Sequence, residues 1–212
     1  MIINACTIVA ANREGSDRRL TEVGPRGITA GITRRTETHH RRWSTCGSTR
    51  RAPCVRCPRY ATTDDIWGGV TDECLQSVFW FWRAVVPPMQ RQGGGSIVNF
   101  GSVLGPKTSR ACPVHAYAAA EGGVATLTKT IAVHHAKDGL RCNSVAPVLT
   151  RTPLTEPRLQ APAARQVMEA QYPLGGPGGP DDITEAALYL WWDDAARTTG
   201  TVPTVDGGII AQ

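Results

Sequence analysis

The sequence predicts an α/β fold, a doubly wound parallel sheet with helices on both faces. Three observations predict it. After residue 61, short apolar runs alternate with long segments of helical period. Gly, Pro and Asp signals punctuate the boundaries between them. The length, 212 residues, suits one domain with a single sizeable core. Strands separated by helices need crossover connections, and these build parallel βαβ units.

The elements follow in order. Thr7-Ile8-Val9-Ala10-Ala11 reads as a strand. Ser16 can cap a short helix over Asp17 to Val23, ended by Gly24, and Gly27-Ile28-Thr29-Ala30 reads as a further strand. Between Thr33 and Arg59 neither period is present, so the stretch reads as irregular loop. Thr63 can cap a helix starting at Asp64–Asp65, whose carboxylates suit the helix dipole. Ile66, Val70, Cys74, Val78, Trp82 and Val85–Val86 recur at helical spacing, and Pro87-Pro88 predict a bend or stop. Gly93-Gly94-Gly95 turns into the buried strand Ser96–Phe100. A second helix runs from about Pro113–Ala116 to His135, with Val124, Leu127, Ile131 and His134 on one face. Gly139 closes it, and Leu140–Ala146 is the next strand. A third helix follows Pro180-Asp181-Asp182 and carries Ile183, Ala187, Leu188 and Leu190. Gly200–Gly208 reads as a last strand and turn. Trp82 shares the apolar face of its helix and belongs to the core, whereas the adjacent Trp191 and Trp192 cannot both face one way.

Residues 1–212 thus form one domain, basic and partly irregular over 1–60 and regular over 61–212. Hydrophobic residues make up 41%, an ordinary share for a globular α/β chain, and no apolar run is long enough for a membrane span. Met1–Ala11 lacks the basic start of an export signal, so the cytoplasm is the expected compartment. The net charge of +5 is uneven: residues 1–60 hold 12 Arg against 4 acidic residues. With no basic amphipathic helix and no nucleic-acid module, that excess is read as compositional, and nucleic-acid binding is not expected. The seven cysteines are expected as free thiols. Cys54-Val-Arg-Cys57 has no second Cys-x-x-Cys to complete a zinc tetrahedron, so no metal is expected.

Gly95-Ser-Ile-Val-Asn-Phe-Gly-Ser102, Tyr117-Ala-Ala-Ala-Glu121-Gly-Gly, Arg141-Cys-Asn-Ser-Val-Ala-Pro147 and Val205-Asp-Gly-Gly carry the chemistry. In this order and spacing they resemble the short-chain dehydrogenase/reductase family, in its 3-oxoacyl-carrier-protein reductase and sugar or alcohol dehydrogenase branch. The resemblance covers roughly residues 61–212. It implies a Rossmann-like sheet and hydride exchange between NADP or NAD and a small carbonyl or alcohol substrate. It implies catalytic positions at Ser102, which would hydrogen-bond the substrate oxygen, at Tyr117, the acid or base, and at Glu121. It also implies a homo-dimer or homo-tetramer, built through the two long helices.

At position 121 the family has a lysine, one helical turn from the tyrosine on the same face. That cation lowers the phenol pKa and binds the nicotinamide ribose. Glu121 is expected to raise the pKa of Tyr117 instead, while still able to accept ribose hydrogen bonds. Lys129 lies two turns further along the helix, and Lys107 reaches the phenol only if its loop folds inward. Asn12-Arg13 stands where the family reads the adenosine ribose, and Thr152 matches its carboxamide contact. Cofactor contacts are therefore expected at Asn12, Arg13, Tyr117, Glu121 and Thr152. No glycine-rich phosphate turn precedes a helix in residues 1–60, so the first βαβ unit is expected to be incomplete and the chain N-terminally truncated and degenerate. The family's proton-relaying helical Asn aligns with Cys74.

Overall fold

The computed structural model describes residues 6–10, 44–48, 62–107, 114–153, 155–160, 166, 168 and 170–212. The helix read over 17–23, the strand over 27–30 and the Cys54/Cys57 pair lie outside the described residues. One sheet runs in the order β2-β1-β3-β4-β5, with β1 Cys6–Ala10, β2 Ser44–Ser48, β3 Gly95–Phe100, β4 Leu140–Pro147 and β5 Thr204–Val205. β3 pairs parallel with β4, setting Ile97 against Cys142, and β4 pairs parallel with β5. β1 runs antiparallel to β3, and β2 antiparallel to β1. The expected parallel sheet is thus present over β3–β5; β1 extends it in the opposite sense, and β2 beyond it runs again in the sense of β3. β2 falls in the stretch read as loop. Ser44-Thr45-Cys46-Gly47-Ser48 shows no apolar alternation, and at the end of the strand order it pairs with β1 alone, through its backbone.

Helices cover both faces, which is why β3 and β4 are buried almost throughout. The alternation of strand side chains sorts them. Val98, Phe100 and Val145 pack under α5 (Pro180–Trp191) with Ile183, Ala187 and Leu190. Ile97 and Cys142 face the other way, onto Val86 and Met89 of α2 (Ser77–Arg91) and Ile131 and Ala132 of α3 (His115–His135). A short α4 (Glu156–Leu159) follows β4. Among the described residues no helix is long and apolar enough to cross a membrane.

The first long helix is not uniform. Thr63 caps α1 (Asp64–Thr71), its Oγ1 accepting from the Ile66 N–H at 3.3 Å. A π-helical turn, Asp72–Gln76, then joins α1 to α2. Pro87-Pro88 do not stop it, contrary to expectation: α2 runs through both to Arg91. The reason is packing. Met89, only 3% exposed, anchors the last turn in the core beside Val86, and this burial outweighs the missing N–H donors. The stop comes at Gly93, whose φ is +84°.

Gly94 follows at φ +135°, and a Cβ there would sit 2.5 Å from the Gly139 carbonyl oxygen. Gly139 itself has φ +75° and ends the 3-10 turn Ala136–Asp138. The turns leading into β3 and β4 therefore touch backbone to backbone. Gly94→Ala is expected to cost about 2–4 kcal/mol, since strain and clash combine. A urea midpoint unchanged from wild type would refute this.

At the other end of the sheet region, Arg141 leaves β4 and caps α5. Its guanidinium donates to the carbonyls of Leu190 at 2.7 Å, Trp191 at 2.9 Å, Trp192 at 3.0 Å and Thr198 at 3.5 Å. The two tryptophans correct the sequence expectation. Helical spacing would splay them, but the helix ends at Trp191, and Trp192 is extended (φ −71°, ψ 168°). The second ring swings back and stacks on the first, with centroids 5.5 Å apart and planes 10° apart.

Candidate active site

The site is built where β3 and β4 end. Gly101 N–H donates to the Val145 carbonyl at 2.8 Å and Val103 N–H to the Pro147 carbonyl at 3.1 Å. The chain after β3 therefore stays zipped to β4 for three residues, which fixes Ser102 between them. Ser102 is buried, and its Oγ accepts the Leu104 N–H at 3.2 Å, closing a tight turn. α3 starts beside this turn and brings Tyr117 and Glu121 in, one helical turn apart. Gly105 makes the approach feasible: a Cβ there would lie 2.8 Å from the Glu121 backbone.

Ser102, Tyr117 and Glu121 come together as the sequence predicts. Tyr117 is 6% exposed and packs with Val70, Cys74, Val114 and Ala120. Its phenol is influenced by Ser102 and by Glu121. Glu121 is 1% exposed, among the largest fully buried side chains. Neither of its carboxyl oxygens has a hydrogen-bond partner. Tyr117 touches the carboxyl and favours its charged form, yet the contact falls short of hydrogen-bond geometry. A Cβ on Gly101 would meet Ser144 Oγ at 3.2 Å and Glu121 Oε2 at 3.6 Å, so Gly101 lies between Ser144 and the carboxyl, with no room for a side chain of its own.

The electrostatics follow from burial. Desolvation pushes the Tyr117 phenol well above its ordinary range, the Glu121 carboxyl adds to this, Cys74 adds less, and Ser102 opposes. Desolvation also pushes the Glu121 carboxyl up to about 8, partly offset by the phenol. The sequence expectation that Glu121 raises Tyr117 has the right sign, but burial is the larger cause.

The two lysines do not intervene. Lys107 turns to the C-terminal segment, its Nζ donating to the carbonyls of Ile210 at 3.0 Å and Gln212 at 3.4 Å. Lys129 is exposed on α3. Thr152 lies in the loop after β4, and its hydroxyl shares a 3.2 Å contact with Thr155 Oγ1, which also accepts the Thr152 N–H at 2.8 Å. Asn12 and Arg13 lie outside the described residues. Among the described residues no cluster of three His, Cys, Asp or Glu side chains could hold a metal.

Sequence reasoning aligned Cys74 with the family's relaying Asn but did not place it against the phenol, and it gave Ser144 no part in the site. The π turn places Cys74 against Tyr117, and no sequence period signals such a turn. Ser144 was legible only as a strand residue, although its even spacing from Cys142 assigns it to the α3 side.

Comparison with known proteins gives a consistent result. Residues 43–210 match the family model described as enoyl-(acyl carrier protein) reductase. The 3-oxoacyl-acyl-carrier-protein reductase of Thermotoga maritima is 36% identical over 168 residues, 77% of this chain and 63% of that protein. An oxidoreductase of the short-chain dehydrogenase/reductase family from Burkholderia thailandensis superposes with a TM-score of 0.69 at 33% identity, over 74% of this chain and 61% of that one. A gluconate 5-dehydrogenase from Burkholderia cenocepacia, solved with NADP and tartrate, superposes at 0.70 with 28% identity, over 74% and 61%. The chain thus spans about three fifths of the length of these relatives.

Proposed function

Because the chain belongs to the short-chain dehydrogenase/reductase family, we propose that it exchanges hydride between NADP or NAD and a small carbonyl or alcohol. The observation that carries this reading is the convergence of the Ser102 and Tyr117 side chains at the carboxyl ends of two parallel strands. Ligands of open α/β sheets bind at such strand ends. Ser102 orients the substrate oxygen, and Tyr117 moves the proton at that oxygen. The dinucleotide, when bound, supplies or accepts the hydride.

The residues present suit such a group at one point in particular. A buried carboxyl with two oxygens lacking partners is what the adjacent hydroxyls of a ribose satisfy. Glu121 and Tyr117 would hold the nicotinamide ribose, Thr152 the carboxamide, and Asn12 with Arg13 the adenosine ribose. Titration with NADPH and with NADH, followed by tryptophan fluorescence or calorimetry, tests the reading. Saturable binding of either is expected. Tyr117→Phe is expected to bind somewhat more weakly, having lost one ribose contact, and to lose about 10²–10⁴ in kcat. No response to either dinucleotide at millimolar concentration ends the oxidoreductase reading.

A second reading rests on a different observation. Trp67 and Trp80, on α1 and α2, are 47% and 52% exposed. Large exposed aromatics on one helical unit suit association. In this reading α1–α2 and α3 pack across a two-fold axis into a homo-dimer or homo-tetramer, with no chemistry retained. Sedimentation that finds only monomer excludes it.

A further inference from the structure

We propose that Glu121 is the proton donor to Tyr117: as the Tyr117 hydroxyl gives its proton to a substrate carbonyl oxygen, the Glu121 carboxyl refills the phenol oxygen. The proposal rests on the oxidoreductase reading above, and it assigns position 121 a working role in place of a missing cation.

The geometry carries it. Glu121 stands one turn from Tyr117 on the same face of α3, and both side chains are buried. Neither carboxyl oxygen is engaged by a hydrogen bond, which leaves the adjacent phenol as the polar group acting on it. Among the described residues no cation acts on the carboxyl. Tyr117 and Ser102 act from α3 and the turn after β3, and Cys74 acts on the phenol from the π turn. Gly101, which lies against the carboxyl, and Ser144 beside Gly101 do not titrate. Lys107 is committed to the C-terminal carbonyls. A carboxyl buried in this way keeps its proton in the free protein, because among the described residues the charged form has no counter-ion. The phenol beside it is the group in reach to receive that proton.

The step balances. The carbonyl carbon receives hydride from the reduced dinucleotide, and the C=O π bond breaks. The oxygen takes the Tyr117 proton, Tyr117 Oη takes the Glu121 proton, and the negative charge ends on the Glu121 carboxylate. The dinucleotide is oxidised and the carbonyl reduced to an alcohol. Without the refill a phenolate would be left in a desolvated site beside a carboxyl. Proton transfer from an acid near 8 to a phenolate whose conjugate acid lies well above 10 is downhill by at least about 10²-fold. Glu121 thus supports reduction while it is protonated, up to about pH 8.

Two near-isosteric variants test this. In infrared difference spectra at neutral pH, the wild type is expected to show a protonated carboxyl C=O stretch that Glu121→Gln removes and Tyr117→Phe shifts. No such band, or one unmoved by Tyr117→Phe, overturns the proposal regardless of turnover. In reduction of cyclohexanone by NADPH, the wild-type rate is expected to fall about tenfold per pH unit above about 8. Glu121→Gln is expected to be about 10²-fold slower and flat over the same range. Superimposable pH profiles overturn the proposal. Absence of NADPH binding sinks the oxidoreductase reading instead, and the infrared comparison still decides whether carboxyl and phenol share a proton path.

Discussion

Replacing Glu121 with glutamine is expected to stabilise the protein at mildly alkaline pH. The carboxyl has an ordinary value of 4.5 and is pushed up to about 8 in the fold by burial. Between these values the folded state keeps a proton that the unfolded chain has released. Stability therefore falls as pH rises through this window. The contribution of the neutral acid is intact below the ordinary value and lost once pH passes about 8. At about 1.4 kcal/mol per pKa unit the span corresponds to roughly 5 kcal/mol, a ceiling that water entry and relaxation reduce to roughly 3–5. Glutamine has nearly the same shape and no titration, so its stability curve should stay level where the wild type declines. Urea unfolding of both proteins at several pH values measures the difference directly. Parallel curves would mean that the carboxyl is not sealed, and the account of the site would fail.

Arg141→Ala is expected to be the most damaging change away from the site, at about 3–4 kcal/mol. One guanidinium satisfies the carbonyls at the end of α5, three of them within 3.0 Å. These are the acceptors a helix leaves without partners, and bonds from a charged donor contribute about 1.5–3 kcal/mol each before compensation by water. Leu190, whose carbonyl is one of the three, is itself part of the core under β3 and β4, so the cap holds a helix against the sheet. Lysine cannot reproduce the fork and should recover only part of the loss. A midpoint within error of the wild type in chemical unfolding would show that water replaces the guanidinium freely.

Much of this architecture could be read from residue spacing, and the departures have local causes. Ile97, Val98, Asn99 and Phe100 announce a strand buried on both faces, and that is what forms. The i,i+4 relation of Tyr117 and Glu121 needed only a regular helix, and α3 is regular through both. Pro87-Pro88 misled because local propensity was weighed without the core contacts of Met89. Trp192 misled because the helical period was carried one residue past the helix. β2 was invisible because backbone pairing leaves no mark on side-chain pattern. The same applies to the π turn that carries Cys74: the motif marked the position, but no residue spacing signals the turn. The loss of the lysine was plain from the outset. That Glu121 would be buried, and so become a neutral acid rather than a misplaced anion, depended on Gly101 lying against its carboxyl and on Gly105 letting the turn after β3 approach its backbone, a matter of tertiary contact.

The paired indoles at the end of α5 have a practical consequence. Rings stacked at 5.5 Å are close enough for their transitions to couple, and both belong to residues whose carbonyls the same arginine grips. A coupled circular-dichroism signal from this pair is therefore expected to vanish when the clasp opens, giving an optical gauge of that end of the helix.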